Sequence, residues 1–271
     1  GKYPALLSDP KKGEAARKLF EDAQELLQEI IRDDLIEARN VFGIFPANRK
    51  GDDILVFEDE SRSRIVATLH TLRQQSKKAS GKPNRALSDF VAPEGSPDYI
   101  GIFAVTAGHG VAEIAFKYEK EHDDYNAIMI KALADRLAEA SAEYIHRHIR
   151  TIEWGYATDE QLSKEELIAE RYAGIRPAPG YPAQPDHTEK KTIWKLLEAE
   201  ASTGIQLTEN LAMMPAASVC GIVFSHPEAN YFNVGQLGQD QISDYAERKG
   251  YSLSEMETWL EPRLNYTPGK A

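Results

Sequence analysis

Cysteine is almost absent from this chain, which has only Cys220 among its 271 residues. A single cysteine can form neither an internal disulfide nor a cysteine-based zinc site. The sequence also lacks any apolar run of the roughly 18 residues that a membrane-spanning helix requires. Its N-terminus shows no signal-peptide pattern. Together these absences predict a cytoplasmic protein that does not enter a membrane.

Positive charge is scarce as well, since 32 Lys and Arg residues stand against 43 Asp and Glu residues and give a net charge of −11. A surface of this sign repels phosphates unless a local basic patch intervenes. The longest basic cluster, formed by Lys77, Lys78, Lys82 and Arg85, is short and lies in a polar stretch. We therefore expect no nucleic-acid partner, while the ordinary balance of apolar and charged residues leaves both an enzyme and a binding module open.

Apolar residues recur at intervals of three and four in two long stretches, which predicts amphipathic helices over 14–40 and 124–150. In the second stretch the predicted apolar stripe consists of Tyr125, Ile128, Met129, Ala132, Leu133, Leu137, Ala140, Tyr144 and Ile145. Capping boxes and terminal glycines predict further, shorter helices. These cover residues 163–171, from a capping box at Ser163 to Gly174, residues 186–202 with Gly204 as the end, residues 240–249 with Gly250 as the end, and residues 252–259 from a capping box at Ser252.

Shorter apolar runs between turn residues predict the strands. The run at 99–106 is continuously apolar and is typical of a strand buried on both faces. Residues 41–45, the pair 54–57 and 64–69, and the pair 218–225 and 231–234 complete the set, each pair being predicted as a hairpin. The fold class that follows is α+β: a single domain over 1–271 with a central antiparallel sheet flanked by long helices.

Residues 176–190 contain four prolines and one glycine, so they can be neither a helix interior nor a central strand. A stiff loop of this kind loses little entropy when it orders around a ligand, as a recognition loop requires. The alternative is a rigid connector with ordinary surface residues.

The loop carries groups that suit a small zwitterion. Arg176 presents a planar fork that matches a carboxylate. Ala178 and Gly180 offer backbone groups that a ligand can approach closely, and Tyr181 in the loop and Tyr231 beyond it supply ring faces.

Glu139 on the second long helix is a candidate partner for an ammonium group, although its spacing from Arg136 taken alone favours a simple ion pair. A metal-dependent hydrolase that uses His122, Asp186 and His187 is a further alternative. It is disfavoured because no two of its ligands are spaced i, i+4 on a helix.

The run RPAPGYPAQPDHTEK at 176–190 closely resembles the signature loop of the S-adenosylmethionine-binding activation domain of cobalamin-dependent methionine synthase. Further runs that resemble this family occur in the same order along the chain. They are GIFPANR at 43–49, LSDFVAP at 87–93, HDDYN at 122–126, KALADRLAEA at 131–140 and SHP at 225–227.

The resemblance implies an elongated, C-shaped domain that binds S-adenosylmethionine and supports reductive methylation of cob(II)alamin to methylcobalamin, which reactivates methionine synthase. The methyltransferase activity would then depend on partners: a cobalamin-binding domain of the same enzyme, and flavodoxin or a related flavoprotein as electron donor. The zinc of the parent enzyme belongs to another domain. No catalytic acid or base is implied. The implied ligand-binding residues are Glu139, Arg176, Ala178, Gly180, Tyr181, Tyr231 and Phe232.

In that family the domain begins further upstream, with a Tyr-Ile-Asp-Trp-Thr-Pro segment whose aspartate also contacts the ligand. This chain opens after that point, at Gly1-Lys2-Tyr3-Pro4. We therefore expect an excised piece of a longer protein with weakened ligand affinity. The alternative function, from a different class, is a non-catalytic module that binds S-adenosylmethionine or acts as a docking surface.

Overall fold

The computed structural model of the chain describes residues 3–79 and 81–269. Gly1 and Lys2 of the N-terminal pattern and Ser80 of the polar stretch lie outside these ranges. The strands are β1 (Glu37–Lys50), β2 (Asp53–Phe57), β3 (Ile65–His70), β4 (Tyr99–His109), β5 (Gln206–Leu207), β6 (Met213–Met214) and β7 (Ser218–Val223). The α-helices are α1 (Gly13–Arg32), α2 (Val111–Lys120), α3 (Asp124–His148), α4 (Lys164–Ile168), α5 (Glu189–Leu197), α6 (Ala199–Thr203), α7 (Gln239–Lys249) and α8 (Leu253–Leu260). Short 3₁₀ turns occupy Ala5–Ser8, Leu87–Phe90 and Glu261–Arg263, and a π-helical turn covers Ile149–Glu153.

Five strands form one antiparallel sheet in the order β3-β2-β1-β4-β7, and β5 and β6 pair separately. Strand β4 lies between β1 and β7 and is buried along almost its whole length, which confirms the prediction from its continuous apolar run. The hairpin of β2 and β3 is confirmed as well. Strand β1 extends well beyond the predicted residues 41–45 because it pairs with β4 over residues 37–46 and with β2 over residues 47–50.

The predicted hairpin between 218–225 and 231–234 is wrong. The free edge of β7 is covered instead by the start of the proline-rich loop, because Ile222 N–H donates to Pro177 O at 2.9 Å. Ile175 and Phe224 also exchange two backbone hydrogen bonds, of 3.1 and 2.9 Å. Since this edge is occupied, residues 231–234 run past it without strand pairing.

Helix α3 is confirmed, and its predicted apolar stripe is confirmed in part, because Met129 and Ile145 are buried and Leu133 and Leu137 pack against the core. Tyr125, Ile128 and Tyr144 are exposed. The buried face consists of small residues at three- and four-residue spacing together with a few larger ones: Ala127, Met129, Ile130, Ala134, Ala138, Ala142, Ile145 and His146. The alanines let the helix axis come close to β4 and β7, against which α3 packs.

The first helix ends at Arg32, not at residue 40. Asp34 adopts a left-handed conformation with φ 50°, and the chain then enters β1 at Glu37. The helical spacing of apolar residues stops at Ile31, which marks the true end. Leu26 and Ile30 bury the inner face of α1 in a cluster shared with α2 and α3.

The predicted helix over 186–202 is two helices. Glu198 has φ 47° and separates α5 from α6, whereas Gly204, with φ 74°, ends α6 as predicted. The capping boxes at Ser163 and Ser252 are both present. Helix α4, however, ends at Ile168, well before the predicted Gly174.

Helices α7 and α8 confirm the prediction for the C-terminal part and form their own apolar cluster. Helix α7 contacts the proline-rich loop through two side chains. Tyr245 donates to Asp186 Oδ2 at 2.8 Å, and Lys249 forms an ion pair with the same oxygen at 2.8 Å. Gln184 Nε2 donates to the carbonyl of His70 at the end of β3 at 2.6 Å. The loop is therefore fixed at both the sheet and helix α7.

Candidate functional site

A cleft of about 500 Å³ opens between α3, the proline-rich loop and the segment after β7. Its volume lies within the usual range for small-molecule sites. Six of the seven predicted site residues line it: Glu139, Arg176, Ala178, Tyr181, Tyr231 and Phe232. The remaining lining residues are Glu170, Pro177, Pro182, Ala183, Val219 and Cys220. The fold thus brings together residues that are up to 93 positions apart in sequence.

Arg176 lies at one end of the cleft and is largely buried. Its Nη2 donates to Glu143 Oε2 at 3.2 Å. Its Nε is buried without a partner among the described residues. Burial lowers the pKa of Arg176, but the nearby Tyr172, Glu143 and Tyr231 outweigh this effect, so the net pKa is raised and the guanidinium stays charged. The cleft therefore contains a cation with unused hydrogen-bonding capacity.

Tyr231 is tied directly to this arginine. Its hydroxyl accepts a hydrogen bond of 3.1 Å from the backbone N–H of Arg176. The segment around it is held by Val234 N–H, which donates to Pro182 O at 3.0 Å. Phe232 packs beside the Phe90 ring, with 6.3 Å between the ring centroids. These contacts fix two aromatic side chains at the cleft without a hairpin.

Gly180 does not line the cleft but shapes the turn that does. Its φ is 99°, and the His187 ring occupies the space where a Cβ would lie. Gly180 N–H donates to Gln184 O at 2.7 Å, and Tyr181 N–H donates to Ala178 O at 3.2 Å. This tight turn presents the exposed Tyr181 ring at the mouth of the cleft.

Glu139 is exposed at the cleft, and in the described part of the chain it forms no ion pair with Arg136. Two further carboxylates at the site were missed by sequence reasoning. Glu170 lines the cleft and has a positive φ of 53°, a strained backbone that the sequence does not reveal. Glu143 was missed although it follows Glu139 by four residues, and therefore by one helical turn on the same face.

Cys220 forms part of the cleft wall. Burial raises the pKa of its thiol to about 12, so the thiol is protonated at neutral pH. Because the thiolate is the nucleophilic form, this cysteine is a small apolar wall residue and not a reactive group.

The family model of the vitamin B12-dependent methionine synthase activation domain matches residues 1–250. The chain belongs to this family. A crystal structure of the MetH reactivation domain bound to AdoHcy is 54% identical in sequence and superimposes with a TM-score of 0.96. The match covers 98% of this chain and 82% of that chain. The activation domain thus has the α+β fold that its sequence predicts, while the ligand-binding roles of individual residues stay predictions.

The metal-hydrolase alternative is wrong for the described part of this activation domain, where no group of three or more His, Cys, Asp and Glu side chains could hold a metal ion. Asp186 is instead engaged by Lys249, Thr188 and Tyr245. His187 faces Gly180, and His122 is an exposed residue before α3. A membrane-crossing helix is likewise not found among the described residues, since none is long and apolar enough.

Proposed function

We propose that the cleft binds S-adenosylmethionine and that this domain presents its methyl group to a cobalamin held by a separate domain of methionine synthase. The observation that carries the proposal is the convergence of one charged, incompletely bonded arginine, two tyrosine rings and two carboxylates on a single cleft. The AdoHcy-bound reactivation domain, which is 54% identical, supports a ligand of this class.

The carboxylate of the ligand's methionine moiety would bind Arg176. A guanidinium donates charge-assisted hydrogen bonds to carboxylates, and these are roughly twice as strong as neutral hydrogen bonds. The buried Nε without a partner is the feature that fits such a group, because an unsatisfied buried donor is otherwise costly.

The ammonium group of the ligand would bind at the carboxylates of Glu139 and Glu170, both of which line the cleft. S-adenosylmethionine carries one negative and two positive charges. Arg176 is partly neutralised by Glu143, so the two cleft carboxylates leave a net negative site. That charge balance suits a ligand whose own net charge is positive.

The sulfonium group would lie against Tyr231 and Tyr181. An aromatic face attracts a cation through its quadrupole, an effect of about 0.5–2 kcal/mol depending on desolvation. Tyr231 is the better-ordered candidate because its hydroxyl is held by the Arg176 backbone. Tyr181 is more exposed, which places it where an incoming partner domain would meet the ligand.

Methyl transfer from a sulfonium needs no general base, because the methyl group is already activated. The cobalamin would supply the nucleophile from its own domain, and a flavoprotein such as flavodoxin would supply the electron. The task of this chain is to hold the ligand with its methyl group exposed and aligned, a contribution of positioning. No side chain of the cleft is assigned a proton-transfer role.

Calorimetric titration of the chain with S-adenosylmethionine tests the binding proposal. We expect binding, and an Arg176→Ala variant should lose about 2 kcal/mol or more, which corresponds to roughly 30-fold weaker affinity. Arg171→Ala is the matched control, because this arginine is exposed and pairs with Glu166 outside the cleft. Absence of binding by the unmodified chain would contradict the proposal.

Methyl transfer separates the activation reaction from a non-catalytic docking or ligand-binding module. The chain is mixed with a cobalamin-binding domain of methionine synthase whose cobalamin is reduced, and with S-adenosylmethionine whose methyl group is radiolabelled. We expect label on the cobalamin. Ligand binding without transfer, under conditions in which a known activation domain transfers the label, would favour the non-catalytic module.

A further inference from the structure

Beside the cleft, but outside its lining, lies a group of four charged side chains that alternate in sign. Arg176 contacts Glu143, Glu143 contacts Arg150, and Arg150 contacts Glu160. The charges of the four sum to zero. Only Arg176 reaches the cleft, so the other three side chains act on a ligand only through it. We define these four residues as the arginine relay.

Arg150 is the immobile member of the arginine relay. Its side chain is 0% exposed. Glu160 binds it with two hydrogen bonds, from Nε at 2.6 Å and from Nη2 at 2.8 Å. The Tyr172 ring covers the guanidinium at 4.5 Å. A buried, bidentate and stacked arginine has little freedom to move.

Glu143 links the immobile Arg150 to Arg176. Its two oxygens are divided between the two arginines: Oε1 lies 3.4 Å from Arg150 Nη2, and Oε2 lies 3.2 Å from Arg176 Nη2. A carboxylate held at one oxygen by an immobile cation offers the other oxygen at a defined position. Arg176 is thus held through one nitrogen, while its Nε and Nη1 form no hydrogen bond with the described residues.

Three titratable side chains packed around the relay, His146, Tyr172 and Tyr156, are uncharged at pH 7. Burial, together with the charges of Arg150 and Arg176, holds the pKa of His146 well below its ordinary value of 6.5, so the imidazole is neutral at pH 7. Burial raises the pKa of Tyr172 and that of Tyr156, so both phenols stay protonated. Glu143 is therefore the one anion of the described residues that contacts the Arg176 guanidinium.

We propose that Glu143 is a positioning residue for ligand binding, which orients the Arg176 guanidinium toward the carboxylate of S-adenosylmethionine and is itself held by the buried Arg150–Glu160 pair. This inference rests on the proposed function of the cleft. Without Glu143, Arg176 would lose its orienting contact, and binding would have to order a long, flexible side chain at an entropic cost. The effect is confined to the ligand carboxylate because Glu143 does not itself line the cleft.

Two ligands that differ only in that carboxylate provide the test. Calorimetry measures the affinities of S-adenosylmethionine and of decarboxylated S-adenosylmethionine for three proteins: the unmodified chain, the Glu143→Gln variant and the Glu139→Gln variant. Glu143→Gln keeps the shape of the side chain and removes its charge. We expect it to weaken S-adenosylmethionine binding by roughly fivefold or more and decarboxylated S-adenosylmethionine binding by less than about twofold. Glu139→Gln is the matched control, one helical turn away, and should weaken both ligands alike because it acts at the ammonium group.

The outcomes separate the possible roles. Equal weakening of both ligands by Glu143→Gln would show a merely structural role and overturn the proposal, as would unchanged or tighter binding of S-adenosylmethionine. Glu143→Asp, which restores the charge on a shorter side chain, should recover part of the lost discrimination. If the unmodified chain binds neither ligand, the proposed function fails; if it binds S-adenosylmethionine and only the Glu143 effect is missing, the positioning role alone fails.

Discussion

Gly180 and His187 lie in direct contact: a methyl group on the Cα of residue 180 would lie 2.1 Å from Cε1 of the His187 ring. The same glycine has φ 99°, a conformation that residues with a side chain rarely adopt. The turn that carries Ala178 and Tyr181 into the cleft therefore depends on glycine for two separate reasons.

We expect Gly180→Ala to lower the free energy of unfolding by at least about 2 kcal/mol, because backbone strain and overpacking both contribute. Gly235→Ala is the control, since Gly235 also has a positive φ but nothing lies within 4 Å of the position that a Cβ would take there. It should show the strain cost alone, about 1–2 kcal/mol. Urea unfolding measures both. The double change Gly180→Ala with His187→Ala should recover part of the loss, and equal costs for the two glycines would argue against the contact.

Replacement of Tyr231 tests its proposed contact with the sulfonium group. Tyr231→Leu removes the ring and should weaken S-adenosylmethionine binding more than AdoHcy binding, by about 0.5–2 kcal/mol, because only the former carries the positive sulfur. Tyr231→Phe keeps the ring and should preserve the ratio of the two affinities, even though it loses the hydroxyl that accepts from Arg176. Calorimetry with both ligands measures the ratio. An equal loss for the two ligands in Tyr231→Leu would exclude a cation–π contribution from this ring.

Lys249 forms ion pairs with two buried carboxylates, Asp186 and Glu189. The ionisation of these two groups changes the stability of the fold in opposite directions. Burial raises the pKa of Glu189 above its ordinary value of 4.5. For Asp186, burial acts to raise the pKa, but Lys249 and the Thr188 hydrogen bonds outweigh it, so the pKa is lowered below 3.8. Because the folded chain then holds the Glu189 proton more tightly than the unfolded chain does, ionisation of Glu189 lowers stability as pH rises above about 4.5. The stabilisation from ionised Asp186 is instead lost as pH falls below about 3.8.

We therefore expect Glu189→Gln to unfold at similar or higher urea concentration than the unmodified chain at pH 7, with the difference shrinking toward pH 4.5. Asp186→Asn should be destabilising at pH 7 by about 2–4 kcal/mol, because it removes one of the two carboxylate partners of Lys249 and weakens the bonds from Thr188 and Tyr245. Urea unfolding of the three proteins at several pH values measures both effects. Equal destabilisation by the two substitutions at pH 7 would contradict the assigned directions.

Glu198, at the break between α5 and α6, has a left-handed backbone with φ 47°. Glycine adopts this conformation without the cost of about 1–2 kcal/mol that other residues carry. Glu198→Gly should therefore raise the melting temperature, partly offset by the greater freedom of glycine in the unfolded chain. Lys195→Gly, at an exposed position inside α5, is the control and should lower the melting temperature, since glycine costs about 1 kcal/mol in a helix. A loss of stability in both variants would show that the break does not strain the backbone.

The sequence predicted local elements where short-range signals suffice. The capping boxes at Ser163 and Ser252 and the terminal Gly204 and Gly250 mark true helix ends, because caps act within a single turn. Prediction from sequence failed where the structure of a segment depends on residues far away in the chain. The segment 231–234 has the composition of a strand, but the edge of β7 is already occupied by the proline-rich loop. The buried face of α3 depends on how closely the helix can approach the sheet.

What the sequence by itself determined is the family, the α+β class and most of the residues around the cleft, because the proline-rich run 176–190 restricts its own backbone and carries a recognisable pattern. Only the tertiary structure decided how those residues are supported. The contact of Glu143 with Arg176, the ring of His187 against Gly180 and the entry of Glu170 into the cleft each join positions without a shared local signal. Such contacts depend on where β4, β7 and α3 meet in space, and no spacing along the chain encodes that position.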